Sequence, residues 1–171
     1  MAREIRKRSI EDAVTEDLRT RMVFVGGPRQ VGKTTLALSI LGAGDERHPG
    51  YLNWDDPVAR PPLMRGEIPG GQRLLVLDEI HKYRRWRSLL KGLYDTHHSR
   101  VGLLVTGSAR LDLYRRGGES LEGRYHHHRL HPFSVRELSP VPRASDLEQL
   151  LTLGGFPEPL FSGSERTLRR W

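Results

Sequence analysis

The sequence predicts an α/β protein: a five-stranded, mostly parallel sheet with helices on both faces, forming three layers, followed by a short helical segment. Three observations predict it. Apolar runs of strand length alternate with amphipathic stretches of helix length. The runs "MVFV", "LLVL" and "GLLV" are apolar throughout rather than at every second residue, as strands buried on both faces of a parallel sheet are. Each run also ends in polar or glycine-rich residues, which gathers chemistry at one edge of the sheet.

The elements follow in order. Ser9 is expected to cap a first helix, with Ile10, Val14 and Leu18 recurring at helical spacing. "MVFVGG" (22–27) is a strand, and Leu36, Ala37, Ile40 and Leu41 form one face of a helix stopped by Gly42 and Gly44. "YLNW" is a short strand that leaves acidic residues at its end, and "ARPPLMRGEIPGG" reads as a loop. "RLLVLDEI" (73–80) is a buried strand. Trp86, Leu89, Leu90, Leu93 and Tyr94 then make an amphipathic helix in which Trp86, like Trp54, is a packing residue. "VGLLVTGS" is a fourth strand, "ARLDLYRRGG" a short helix and turn, and "RYHHHRLH" a fifth strand. From Pro132 onward, short helical pieces are separated by prolines and glycines. The expected division is a core over 1–131 and a partial helical lid, or the start of a further C-terminal domain, over 132–171.

Composition narrows the function classes. With 36% hydrophobic and 29% charged residues the chain has the balance of a soluble globular protein. No apolar run is long enough for a membrane helix, and no apolar stretch follows the basic N-terminus as in a secretory signal. Cysteine is absent, which excludes disulfides and thiolate chemistry and fits a cytoplasmic location. The net charge of +7 attracts polyanions, nucleotides and nucleic acids included, although the basic residues are scattered rather than blocked.

The chemistry concentrates in "GGPRQVGKTT" (26–35). Gly27, Pro28, Arg29, Gln30, Val31, Gly32, Lys33 and Thr34, with Thr35 following, satisfy the Walker A spacing between a buried strand and a helix. Glycines there let the backbone curl so that successive N–H groups face a phosphate, and the helix that follows adds its positive end. Lys33 is expected to bridge the β- and γ-phosphates of ATP, and Thr34 to offer its hydroxyl oxygen to Mg²⁺. Asp78 and Glu79 end the third strand. Asp78 matches the Walker B aspartate that holds Mg²⁺, usually through water, and Glu79 is placed to polarise the attacking water. Ser108 or Thr106, at the fourth strand's end, would sense the γ-phosphate or orient that water. Arg124, just before the fifth strand, could reach a neighbouring subunit's nucleotide. His126 and His128 share a strand face, but with no acidic residue or cysteine nearby in sequence they read as a basic strand rather than a metal pair.

With "YLNWDD", "LDEIHKYRRWRSLLKGLYD", "VTGSARL", "GESLEGR", "RLHPFSVREL" and "GGFPEP" in this order, the chain resembles a family of prokaryotic AAA-type (AAA+) ATPases that carry a C-terminal domain of unknown function. The resemblance implies a P-loop NTPase core, Lys33 and Thr34 at the phosphates and Asp78 on magnesium. It further implies Glu79 as the catalytic glutamate, a sensor near Ser108, and Arg124 as an arginine finger shared within a homo-oligomer. Members of that family are longer, so 132–171 looks like the start of a domain cut short.

Three functions remain open at this point: an ATPase that remodels a protein partner, a nucleotide-binding switch with little turnover, and a nucleic-acid-dependent ATPase. The absence of an Asn-Lys-x-Asp motif after the third strand disfavours a GTPase.

Overall fold

The computed structural model describes residues 6–108 and 121–171. Five strands, β1 (Met22–Gly26), β2 (Tyr51–Asn53), β3 (Leu74–Asp78), β4 (Gly102–Thr106) and β5 (Tyr125–Arg129), form one sheet in the order β2-β3-β4-β1-β5. Every pairing in it is parallel. The register aligns Asn53 with Asp78, Asp78 with Thr106, and Val25 with Thr106. The carboxyl ends of the four strands β1 to β4 therefore share one edge, beside the loop that leaves β1.

Both faces of the three inner strands β1, β3 and β4 are buried, which is why those strand runs are apolar throughout. One face presents Val23, Val25, Val76 and Leu104 to α1 (Glu11–Asp17) and α2 (Lys33–Leu41), through Val14, Leu36 and Ala37. The other presents Met22, Phe24, Leu75, Leu77, Leu103 and Val105 to α3 (Arg60–Met64) and α4 (Trp86–His97). Alternate residues of one strand thus serve two helical layers. Trp86 lies against Phe24, and Trp54 stacks on Tyr83, so both tryptophans pack as expected.

Two local expectations are corrected. Ser9 does not cap α1: the cap position falls on Ile10 without a side-chain hydrogen bond, and the Ser9 N–H donates to Glu137 instead. The segment read as a loop after Asp56 contains α3, with Pro61 and Pro62 in its first turn, where a missing N–H forfeits no intrahelical bond.

The helix and turn expected over 109–118 lie outside the described residues. Residues 132–171 carry four short helices, α5 (Val135–Leu138), α6 (Ala144–Leu153), α7 (Pro157–Ser162) and α8 (Glu165–Arg170). Among the described residues, no helix is long and apolar enough to cross a membrane.

Candidate functional site

The loop between β1 and α2 is shaped by three residues in the left-handed region: Gly27 (φ 151°), Gln30 (φ 59°) and Gly32 (φ 97°). At Gly27 the glycine is required twice over, because a Cβ there would sit 2.4 Å from the Leu130 carbonyl oxygen as well as facing the backbone strain. Gly32 begins α2, and no side chain caps its N-terminus. The positive end of a nine-residue helix therefore faces an open cleft of about 1310 Å³. Residues from the loop, α2, β2 and the end of β3 line that cleft, together with Phe133, Pro157 and Phe161 from the C-terminal segment.

Lys33 is the first residue of α2, and its ammonium donates to the carbonyls of Gly27 (3.2 Å) and Pro28 (2.6 Å) in its own loop. Burial lowers its pKa; the negative charges of Glu79 and Asp78 oppose that shift. One helical position later, the Thr34 hydroxyl donates to Asp78 Oδ2 over 3.0 Å.

Asp78 is 4% exposed and is held by three hydroxyls. Besides Thr34, the Tyr51 phenol donates to Oδ2 at 2.6 Å and Thr106 donates to Oδ1 at 2.5 Å. Strand alternation explains the convergence. Asp78 and Thr106 are register partners, while Tyr51 pairs with Val76, two residues earlier on the same face, and reaches forward. Burial, and then the bond to Asp78, push the Tyr51 pKa up, so the phenol stays protonated and remains a donor. No cation forms an ion pair with Asp78 among the described residues.

Glu79 adopts a left-handed backbone (φ 57°), and its N–H donates to the Thr106 carbonyl. Its carboxylate lies 3.4 Å from Lys82 Nζ and 3.7 Å from His81 Nε2. Ser108 Oγ is 3.3 Å from the same His81 nitrogen. Lys82 is paired in addition with Asp55, one of the acids after β2.

The structure thus brings Lys33, Thr34, Asp78, Glu79, Thr106 and Ser108 to one edge of the sheet. It does not bring Arg124 there. Arg124 precedes β5, its carbonyl accepts from Met22 at the start of β1, and its side chain pairs with Asp95 on α4 at 2.9 Å. The five residues of β1 separate it from the loop, roughly 16 Å at a strand's rise. In the histidine-rich strand, His128 contacts Asp17 of α1 at 2.7 Å, an acid brought from a distant part of the sequence. Among the described residues no group of three or more potential ligands is assembled.

Sequence reasoning missed Tyr51 and Arg8. The parity of Tyr51 with Asp78 across paired strands was a usable signal; Arg8 left none, since its partners are distant in sequence. Its guanidinium is buried, lies 3.9 Å from the centre of the Phe133 ring, and donates to the Val31 carbonyl in the loop (3.0 Å), to the His131 carbonyl (2.6 Å) and to Glu137 (3.0 Å). Burial pushes the Glu137 carboxyl up. Hydrogen bonds from the Ser9 and Ser134 N–H groups, the Arg8 charge and the Ser134 hydroxyl outweigh it, so the pKa falls to about 2.

The oxygen donors fit a small divalent cation. A carboxylate and a hydroxyl are the hard ligands Mg²⁺ takes. Because Thr34 spends its proton on Asp78, its oxygen lone pairs are left for a cation.

Comparison with known proteins agrees with this fold. Residues 19–139 match the family described as "AAA domain". Two mycobacterial proteins, Rv2008c of Mycobacterium tuberculosis and Mb2031c of Mycobacterium bovis, are each 28% identical over 158 residues. That alignment covers 90% of this chain and 34% of either relative, so the chain spans about a third of their length. Among solved structures, AMPPCP-bound DnaA from Aquifex aeolicus superposes with a TM-score of 0.57 at 14% identity, over 90% of this chain and 57% of that one. The STAND protein PH0952 from Pyrococcus horikoshii gives 0.53 at 13% identity, over 91% of this chain and 29% of the other. At such identities the likeness is one of fold: a P-loop AAA+ core. Since the family covers well over half of the residues, this chain belongs to that family of AAA domains.

Proposed function

We propose that this chain is the nucleotide-handling core of an AAA+ ATPase, binding ATP with Mg²⁺ and hydrolysing it to ADP and phosphate. One observation carries the reading. Thr34 and Asp78 are hydrogen-bonded across the cleft floor, with Lys33 and Glu79 beside them and the uncapped start of α2 above. In this reading the loop N–H groups and Lys33 hold the β- and γ-phosphates. Thr34 and Asp78 would hold Mg²⁺, which neutralises phosphate charge when bound. Glu79 orients a water toward the γ-phosphorus. The water oxygen bonds to phosphorus and gives up a proton to the Glu79 carboxylate, and from there to solvent, as the bond to the bridging oxygen breaks and ADP leaves with those electrons. Positioning and charge neutralisation supply the rate. The AMPPCP carried by the DnaA structure supports an adenine nucleotide as the ligand.

The position of Arg124 favours completion of the site between subunits. It lies at the far end of the sheet from its own cleft, so it serves a nucleotide only on a neighbouring copy. The same placement supports a second reading, a nucleotide-binding switch with little turnover when the chain is alone.

ATP hydrolysis measured against protein concentration decides between them. The ATPase reading predicts specific activity that rises with concentration, is lost in Lys33→Ala, and drops about 100-fold or more in Glu79→Gln with binding retained. Arg124→Ala removes the concentration dependence. Turnover indifferent to Glu79→Gln contradicts the ATPase reading, and binding without turnover at any concentration supports the switch. The net charge of +7 motivates adding DNA and RNA to the assay, where salt-sensitive stimulation would identify a nucleic-acid-dependent enzyme.

A further inference from the structure

We infer that Tyr51 is a positioning residue for the cation of the bound nucleotide, acting through Asp78; the inference rests on the Mg²⁺–ATP reading above. A carboxylate has about four acceptor positions on its two oxygens. Here three are filled by hydroxyls. Tyr51 and Thr34 saturate Oδ2, and Thr106 takes one position on Oδ1. One acceptor position is left, on Oδ1, so the carboxylate has a single way to meet a cation or a water of its shell.

Tyr51 fixes Oδ2 as the buried Thr106 fixes Oδ1, so the two together set the orientation. The Tyr51 ring is held in the hydrophobic layer between the sheet and α2, and the residue is 7% exposed. Its hydroxyl is set by the packed ring, 2.6 Å from Oδ2. Without the phenol, Oδ2 keeps only Thr34. The carboxylate, still held by Thr106 at Oδ1 and Thr34 at Oδ2, then has a second open acceptor position, on Oδ2, and can offer either oxygen to the cation, and the acceptor that Thr34 needs is less firmly fixed. Since all three donors are neutral, Tyr51 orients Asp78 without cancelling its charge. A lysine or arginine in the same place would orient it and abolish the attraction for a cation.

The test is Tyr51→Phe, which removes one oxygen and preserves the packed ring. Binding of the fluorescent nucleotide mant-ATP is titrated with Mg²⁺ for both proteins, and repeated in EDTA; the EPR spectrum of Mn²⁺ in the nucleotide complex reports the metal directly. Loss of a partner that orients a metal ligand weakens metal affinity about 10- to 100-fold. The expected result is a half-saturating Mg²⁺ concentration raised about 10-fold, a weakened Mn²⁺ complex, and unchanged mant-ATP affinity in EDTA. A purely structural role would instead weaken binding equally with and without metal, and lower the melting temperature; that result overturns the inference. So does an unchanged or lowered Mg²⁺ requirement in Tyr51→Phe. If the wild-type protein takes up no nucleotide under either condition, the ATP reading falls and the inference with it, which separates the two failures.

Discussion

Two buried carboxylates, Asp78 at the strand edge and Glu137 in the C-terminal helical segment, are both held by several hydrogen bonds, yet their partners differ in kind. Asp78 accepts from three hydroxyls and has no cation partner among the described residues. Glu137 accepts from two backbone N–H groups and the Ser134 hydroxyl, and is paired with Arg8. In a region of low dielectric a carboxylate without a cation is costly, and hydrogen bonds or a bound cation offset part of that cost. Glu137 already has its cation and serves as a fastener. Asp78 is oriented by neutral donors and forms no ion pair among the described residues, which suits the cation-holding role proposed for it.

The fastener joins what the sequence keeps apart. Arg8 holds the Val31 carbonyl of the loop, the His131 carbonyl after β5, and Glu137 on α5, while its face covers Phe133. Phe133 in turn meets Phe161 edge-on, and its N–H donates to Gly155. The loop that faces the cleft and the helices that form its far wall thus share one guanidinium.

The largest effect that would break this comparison is in Arg8→Ala. It leaves Glu137 buried without its cation, a change that costs about 3–5 kcal/mol. For a domain of this size the melting temperature should drop by roughly 10 °C. Replacing the pair together, as Arg8→Met with Glu137→Leu, should restore part of that loss, because no charge is then stranded, although the Val31 and His131 carbonyls and the Ser9 and Ser134 N–H groups lose their partners. A thermal melt checks both. If Arg8→Ala melts like the wild type, the pair is ornamental.

How far the sequence alone reaches follows the same division. The phosphate loop, the acids after β3, the polar end of β4 and the parallel sheet were all legible, because each is written in contiguous residues whose backbone requirements are strict: Gly27 and Gly32 for their dihedral angles, "LLVL" for burial on two faces. Arg8 and Glu137 were not, being 129 residues apart with no local pattern to link them. Ser9 was misread because the first helix begins one residue later than its spacing suggested, with Ile10 at the cap. Tyr51 lay between the two cases. Its strand was recognised, but its partner became visible only once β2 and β3 were placed in register.

A smaller effect appears in acid. Glu137 is depressed from an ordinary 4.5 to about 2 in the folded chain. Below pH 4.5 the unfolded chain takes up a proton that the folded chain still refuses, so stability contributed by this carboxylate is present above that pH and is lost as the pH falls toward about 2. Denaturant melts between pH 5 and roughly 2.5 should show that decline in the wild type and a weaker one in Glu137→Gln. Equal slopes would remove Glu137 from the account.

The most direct test of the claim that Asp78 is oriented yet uncompensated is calorimetry of ATP binding with and without Mg²⁺, on the wild type, Asp78→Asn and Glu137→Gln. The amide keeps the size of the side chain and one acceptor oxygen but removes the charge. The account predicts that Mg²⁺ tightens ATP binding to the wild type and to Glu137→Gln, and that Asp78→Asn loses this tightening while keeping its metal-free affinity. An Asp78→Asn protein whose ATP affinity responds to Mg²⁺ as the wild type does would contradict it.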